Sequence, residues 1–517
     1  MEFLELTRLL VFLGTVAVFV QLDVVRKVYK YLRCLYYVRK LPVPAEPRWL
    51  TGHSSFIQPE AAFQFHCDYL SDPEKRLPGV FRYHLSQFLY MVNVFAPHTI
   101  EPMLAGSHPK LSIVAHLTSP VTGEGGVFFT NGEKWARKRR LVAPGFHKKV
   151  TQDYVSVYES VLDSLISDWS ELLLNSTTKS GPKSQSRVSM NMASAKLSIN
   201  VLVRCVMSYE LSETETIDFK RATDVMARMV QERGTNAFLY PDSIYFRTEA
   251  GKECLKLCNI VHTVTDNVIA SRRKQLLDDP DAGAPKKNID FLDILLTARY
   301  EDGAAMDDKE LREEVTIFLI AGMTSSVASQ WLFYYLAANP DIQQRCREEA
   351  CAVLCPDGGE PVLTEQSLNS LQYITQVIKE VLRIATPTPQ IYRELEKDTM
   401  IGGYLIPSGT WVVLSIWALH HNPDIWKNPM TFNPSRFDPG GEASKAPPFS
   451  YVPFSGGSRN CIGKNVAFQL LRAEVVKILL RFKLSVPDDL LNLKQHLMLF
   501  IEPSKPIELL IEEVGDC

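Results

Sequence analysis

Phe454-Ser455-Gly456-Gly457-Ser458-Arg459-Asn460-Cys461-Ile462-Gly463 places three glycines and one cysteine in ten residues, directly before an apolar-periodic segment that predicts a helix over 463–482. Glycines at such a place let the backbone lie close against a flat partner. A cysteine at a helix start sits where free N–H groups and the dipole favour an anionic sulfur, and Arg459 adds a positive charge two residues away. The arrangement suits a thiolate that ligates a metal, with its donor strength set by backbone hydrogen bonds. A phosphate-binding P-loop would need Gly at position 458 and Ser or Thr at 465, where the chain has Ser458 and Asn465. A zinc site would need further Cys or His ligands, and none lies nearby in the sequence. A lone buried cysteine that only packs is the plain alternative.

The rest of the chain bounds what such a loop can belong to. The 517 residues are 46% hydrophobic and 22% charged, ample for a large core. That length suggests roughly three domains, but no long linker divides the sequence, so one large domain is expected. With 26 Gly and 31 Pro, collagen-like and low-complexity classes are excluded. A net charge of −3 argues against a polyanion-binding chain, so no nucleic-acid partner is expected. Ten cysteines without any CxxC exclude a disulfide scaffold and the commonest zinc and redox motifs.

Residues 9–20 (LLVFLGTVAVFV) carry no charge, and Arg26, Lys27, Lys30 and Arg33 follow them. A full membrane span needs about 20 mostly apolar residues. Positive charge on the downstream side, with no small-x-small cleavage site, predicts an uncleaved N-terminal membrane anchor over 1–25 whose remaining chain stays cytoplasmic. A signal peptide and an amphipathic helix lying on the bilayer surface are the competing readings. Residues 26–52 are basic and then proline-rich (Pro42, Pro44, Pro47), and prolines hold such a segment extended as a hinge. The main globular domain is then expected over 53–517.

Three- and four-residue apolar spacing predicts mainly helix from about 55 to 385, for example over 150–174 and 221–231. Asp307-Asp308 open a long apolar helix expected to end at Ala338, before Asn339-Pro340. Its centre is apolar nearly all round, which predicts burial inside a large domain. After Arg383, closely spaced Pro and Gly residues break up short β-rich runs such as 410–416. The expected fold class is mainly α with a minor β region.

The loop at 454–463 resembles the heme-binding signature of the cytochrome P-450 family, F-x-x-G-x-R-x-C-x-G, at every specified position. Three further motifs lie in the family's order. Trp135-x-x-x-Arg139 matches W-x-x-x-R, Glu380-Val381-Leu382-Arg383 matches E-x-x-R, and Pro434-Ser435-Arg436-Phe437 matches P-x-R-F. The resemblance implies a single P-450-type domain with a long central helix over the heme. It implies that Cys461 is the axial ligand of the heme iron, with Phe454, Gly456, Arg459 and Gly463 around it. Trp135, Arg139 and Arg393 fall where the family contacts heme propionates, and Glu380, Arg383 and Arg436 where it builds a buried ion network. The implied activity is a monooxygenase inserting one oxygen atom from O2 into a lipophilic substrate, with electrons from an NADPH-dependent cytochrome P-450 reductase. Arg137, Lys138 and Arg140 share the helix of Trp135 and can meet an acidic partner. The implied location is the endoplasmic reticulum membrane, with the catalytic domain facing the cytoplasm. Asn175-Ser176-Thr177, the one glycosylation sequon, should then stay bare.

The central helix departs from the family pattern. Where the family has [AG]-G-x-[DE]-T-[TS], this chain has Ala321-Gly322-Met323-Thr324-Ser325-Ser326. Thr324 holds the acid position and cannot ionise, while Ser325 and Ser326 keep hydroxyls that can relay protons. Three outcomes stay open: proton delivery through Ser325, Ser326 and water; a heme-thiolate isomerase or dehydratase of lipid peroxides that needs no reductase; or a non-catalytic heme-binding sensor. The segments around Gly132–Arg140 and Pro387–Arg393 are similar to the branch containing fatty-acid ω-hydroxylases. That branch often esterifies its heme through a Glu where this chain has Ala321, so the heme b is expected to be held without a covalent link apart from the Cys461 ligation.

Overall fold

The computed structural model describes residues 24–45, 48, 52–53, 59–84, 89–106, 108–177, 185–278, 291–300, 303–355 and 361–515. The apolar run at 9–20 lies outside them. The basic segment after it forms helix α1 over 24–38, which buries Cys34 and Val38 and leaves Val24, Val25, Val28, Tyr29, Leu32 and Tyr36 exposed. Irregular, bent chain begins only after it, at the proline-containing residues 41–45.

Two strands, β1 (Val80–His84) and β2 (Tyr90–Val94), lie within the region where the sequence predicts helix. β2 is buried at every position, so it shows no alternation by which a strand could be told from a short apolar helix. The helices that build the site follow in order: α2 (Gly132–Val142), α3 (Tyr154–Thr177), strand β3 (Ser186–Ser189), α4 (Met190–Met207), α5 (Glu213–Thr235), α6 (Glu249–Asp278), α7 (Asp308–Ala338) and α8 (Gln372–Ile384). After β4 (Gln390–Glu394) and β5 (Trp411–Ser415) come α9 (Lys464–Arg481), β6 (Phe482–Ser485) and β7 (Glu508–Glu513).

The larger sheet has the order β1-β2-β5-β4, with β2 and β5 parallel and Val92 opposite Val412. It therefore joins the early chain to the segment just past α8. The smaller sheet has the order β3-β7-β6, with both neighbours antiparallel to β7. The fold is mainly helical with a minor β part.

α7 has 31 residues and runs about 46 Å at 1.5 Å per residue. Asp307 caps it by accepting a hydrogen bond from Glu310 N at 2.7 Å. It is long and apolar enough to cross a membrane by composition, but most of its apolar window is buried in the protein. α4 packs along it so closely that a Cβ on Gly322 would stand 2.9 Å from Leu202 Cδ2.

Candidate functional site

The loop before α9 is a tight structure rather than a slack one. Cys461 N donates to Phe454 O at 2.9 Å, closing it. Gly457 has φ +65°, and a Cβ there would stand 1.9 Å from Leu104 O, so only glycine fits. Gly456 is extended at φ −154°, so the backbone demand falls on its neighbour and not on Gly456 itself. A Cβ built on Gly463 meets nothing within 4 Å, leaving space beside the cysteine.

The Cys461 side chain is open to the space beside the loop, yet the protein crowded around it pushes the thiol up by desolvation, against the Gly463 N–H and the charges of Arg139, Lys110 and Lys464, which pull it down. Arg459 is not among these charges. It turns away: its Nη2 donates to Thr130 O at 2.7 Å and to Asn131 Oδ1 at 2.8 Å, and its guanidinium lies 4.1 Å from the Trp135 ring centroid. The helix start alone therefore does not ionise this sulfur; a bound cation would deprotonate it outright.

Beside the loop stand four basic side chains: Lys110, Arg139, Arg393 and Arg459. Arg139 Nη2 donates to Asn460 Oδ1 at 3.0 Å and to Asn460 O at 3.2 Å, tying α2 to the loop. Burial, then Arg393, Arg459 and Arg139, hold the Lys110 amine well below its usual range. Burial lowers Arg393 and Arg459 to about 10. Among the described residues none of the four pairs with Asp or Glu, and Arg459 Nη1 is buried without a partner. Such a cluster is costly unless an anion completes it. A flat dianionic ligand with a central metal satisfies the cations, the orphan Nη1 and the sulfur together, so these residues fit heme.

Sequence reading missed Lys110 and Asn131. Lys110 is one basic residue in a loop, with no local pattern. Asn131 looks like a helix cap before α2, yet its side chain makes no cap bond and instead accepts from Lys110 N at 3.0 Å and from Arg459.

Glu380, Arg383 and Arg436 meet in the core. Arg383 donates to both Glu380 oxygens at 2.8 Å, and Arg436 Nε donates to Glu380 Oε1 at 3.2 Å. Asn433 N adds 2.9 Å to the same oxygen, and Arg383 Nη1 reaches His420 O at 2.8 Å. This pins the segment leading to the cysteine loop onto α8.

Along α7, Ala321 is exposed, and Thr324 and Ser325 are half-buried. Thr324 Oγ1 donates to Ala321 O at 2.8 Å, one turn back. Ser326, expected with them in a proton relay, has no exposed surface, and its hydroxyl accepts from Gln330 Nε2 at 3.4 Å. The helix period separates them: 321 and 325 share one face, while 326 turns with Met323 and Val327 toward a cavity on another side of α7. Lys138 also departs from expectation. It is fully buried, 3.0 Å from Glu314 and 3.5 Å from Glu310, and so presents no charge to a partner. Arg137 lies 4.3 Å from the Tyr300 ring centroid, and Arg140 is exposed.

A cysteine loop before a helix, a cation cluster at its side, a buried Glu–Arg–Arg network and a long core helix define a heme-thiolate protein. The sequence model described as Cytochrome P450 matches residues 42–511. Cytochrome P450 4X1 of Homo sapiens is 31% identical over 497 residues, covering 94% of each chain. Taurochenodeoxycholic 6 alpha-hydroxylase of Sus scrofa is 35% identical over 467 residues, 89% of this chain and 88% of that one. The crystal structure of the cytochrome P450DA heme domain aligns with TM-score 0.76 at 22% identity, over 92% of this chain and 98% of that one. The chain belongs to the cytochrome P450 family and is a monooxygenase of that family.

Proposed function

We propose that this chain hydroxylates an amphipathic lipid, a fatty acid or a related carboxylic lipid, with electrons from an NADPH-dependent reductase at the endoplasmic reticulum membrane. The observation that carries the substrate class is a cavity of about 350 Å³ on one side of α7. Val121, Met226, Met323 and Val327 line it, together with the basic Lys220, Arg228 and Lys505 and the acidic Asp224 and Glu502, of which Asp224 pairs with Lys220. Apolar walls with a charged end that keeps a basic excess suit a long apolar body with one acidic end. The relative named for a bile-acid hydroxylation acts on a ligand of that general kind.

Cys461 is the proposed iron ligand, and Arg139, Arg393, Arg459 and Lys110, with Trp135 beneath Arg459, hold the carboxylates of heme. When bound, heme supplies the activation of dioxygen on thiolate-ligated iron, one oxygen atom entering substrate and one leaving as water. Ser325, half-buried on the exposed line of α7, offers the hydroxyl that passes a proton out at that face. Thr324 has its own proton committed to Ala321 O. The catalytic domain is proposed to span 53–517. An anchor over 1–25, with the exposed apolar face of α1 continuing it, would lay the domain on the cytoplasmic membrane surface.

A reconstituted assay with and without reductase tests this reading. Fatty-acid or bile-acid hydroxylation is expected only with reductase, NADPH and dioxygen; turnover of a lipid hydroperoxide without reductase would instead point to isomerase chemistry. Thr324→Asp should raise the fraction of NADPH converted to product by severalfold, since it restores an ionisable group at the acid position. Unchanged coupling would mean Thr324 does not limit proton delivery. Asn175 lies exposed on α3 and should carry no glycan in cells, checked by glycosidase digestion.

A further inference from the structure

Glu474 is a fully buried carboxyl on α9, and both of its oxygens lack a partner in hydrogen-bond geometry. Among the described residues no charged group acts on it. No charged residue occurs in α7 after Glu314. Nearby charges on and around α9 are committed elsewhere. Lys477, one turn on, pairs with Asp163 and Glu159 of α3. Arg472 donates to Thr375 of α8, and Arg347 to Leu479 O. Arg383 and Glu380 of α8 hold each other. Lys196 of α4 pairs with Glu213. The group acting on Glu474 is the Ser329 hydroxyl of α7, which eases a strong upward push from burial and leaves the carboxyl at about 8. At neutral pH it is therefore mostly the protonated acid.

Ser329 is one turn beyond Ser325, and Ser325 one turn beyond Ala321, so the three share a face of α7. Exposure falls along that line: Ala321 is exposed, Ser325 half-buried, Ser329 buried. The line leads from the exposed side of the helix at Ala321 into the core, where Glu474 stands. The facing helix is polar at the same depth. Leu202 of α4 covers Gly322, and Ser198 and Ser194, on the same face of α4, carry buried hydroxyls without partners. α4 leaves the smaller sheet while α9 enters it, and Tyr334 near the end of α7 bonds Leu490 O just past β6. α4 is therefore antiparallel to α7, and Ser198 and Ser194 lie alongside the turns of α7 beyond Gly322.

We propose that Glu474 is the proton store of this enzyme, taking over from the core side the part that position 324 cannot play. It acts through Ser329 and Ser325, as a positioning residue for the proton. The Glu474 O–H bond breaks as Ser329 takes that proton and releases its own toward Ser325, whose hydroxyl does the same at the exposed face of α7 beside Ala321. The carboxylate left behind recovers a proton from solvent hydronium before the next cycle. Cβ atoms one turn apart are about 5–6 Å from each other, a gap one water can bridge between two hydroxyls.

This rests on the monooxygenase and reductase reading above. The test compares the wild-type holoenzyme with Glu474→Gln, which keeps shape and removes the acid, and with Ser329→Ala, which keeps the acid and breaks the path. Both should keep the red-shifted ferrous-CO band. Both should lose at least tenfold in product per NADPH, with peroxide released instead. The wild type should lose coupling as pH rises past about 8, while Glu474→Gln stays flat. Infrared difference spectra at neutral pH should show a protonated-carboxyl band in the wild type that is absent in Glu474→Gln and shifted in Ser329→Ala. Wild-type turnover with coupling unchanged in either variant overturns the proposal alone, as does the same carboxyl band in Glu474→Gln. If the wild type shows no reductase-dependent turnover, the functional reading falls and proton delivery with it.

Discussion

Glu380→Ala is expected to lose about 3–5 kcal/mol of stability, the usual cost of stripping one partner from a buried ion network. Arg383 and Glu380 are both fully buried, and after the substitution Arg383 keeps only the His420 and Thr431 carbonyls. Arg436 still has Glu442, so the damage centres on Arg383. A loss of that size takes most of the 5–15 kcal/mol that holds an ordinary domain together. Denaturant unfolding of the purified variant measures it, and a loss below about 1 kcal/mol would show that water enters and solvates the guanidinium. Glu380→Gln should lose less, because it keeps an acceptor for Arg383 and for Asn433 N.

Cys461→Ala is expected to abolish product formation and the red-shifted ferrous-CO band together. The cation cluster, the Glu380 network and the loop geometry do not depend on the sulfur, because the loop closes through backbone and through Asn460 and Arg459. The variant should therefore fold with near wild-type stability, and its circular dichroism should match. A surviving thiolate band would show that another group ligates the iron.

The long core helix, the cysteine loop and the mainly helical class were legible from local patterns, each carried by a few residues close in sequence. β1 and β2 were not legible: β2, buried on both faces, is only a short apolar run whose parallel partner β5 lies more than 300 residues away, and β1 (VFRYH), half-buried at Arg82 and Tyr83, is too short to show a period. The same limit applies to the site. The motif residues Glu380, Arg383, Arg436, Trp135, Arg139, Arg393, Arg459 and Cys461 were named from resemblance, and the structure gathers them into one network and one cluster. Lys110 and Glu474 carry no local signal. A lysine in a loop and a glutamate on a helix are usually solvated, and only tertiary packing puts the first among three arginines and the second in an apolar core. Lys138 shows the reverse error, where shared helix membership stood in for facing direction.

Gly322 also shapes which changes the chain can accept. In most helix interiors, exchanging glycine for alanine stabilises by about 1 kcal/mol. Here the added methyl would stand 2.9 Å from Leu202 Cδ2, the far end of a flexible side chain, so the Leu202 side chain must shift while the backbones of α4 and α7 can stay. This long helix thus keeps a locally weak position at the level of Thr324 and Ser325, and what filling it would gain is set by the rotamer cost at Leu202 on α4.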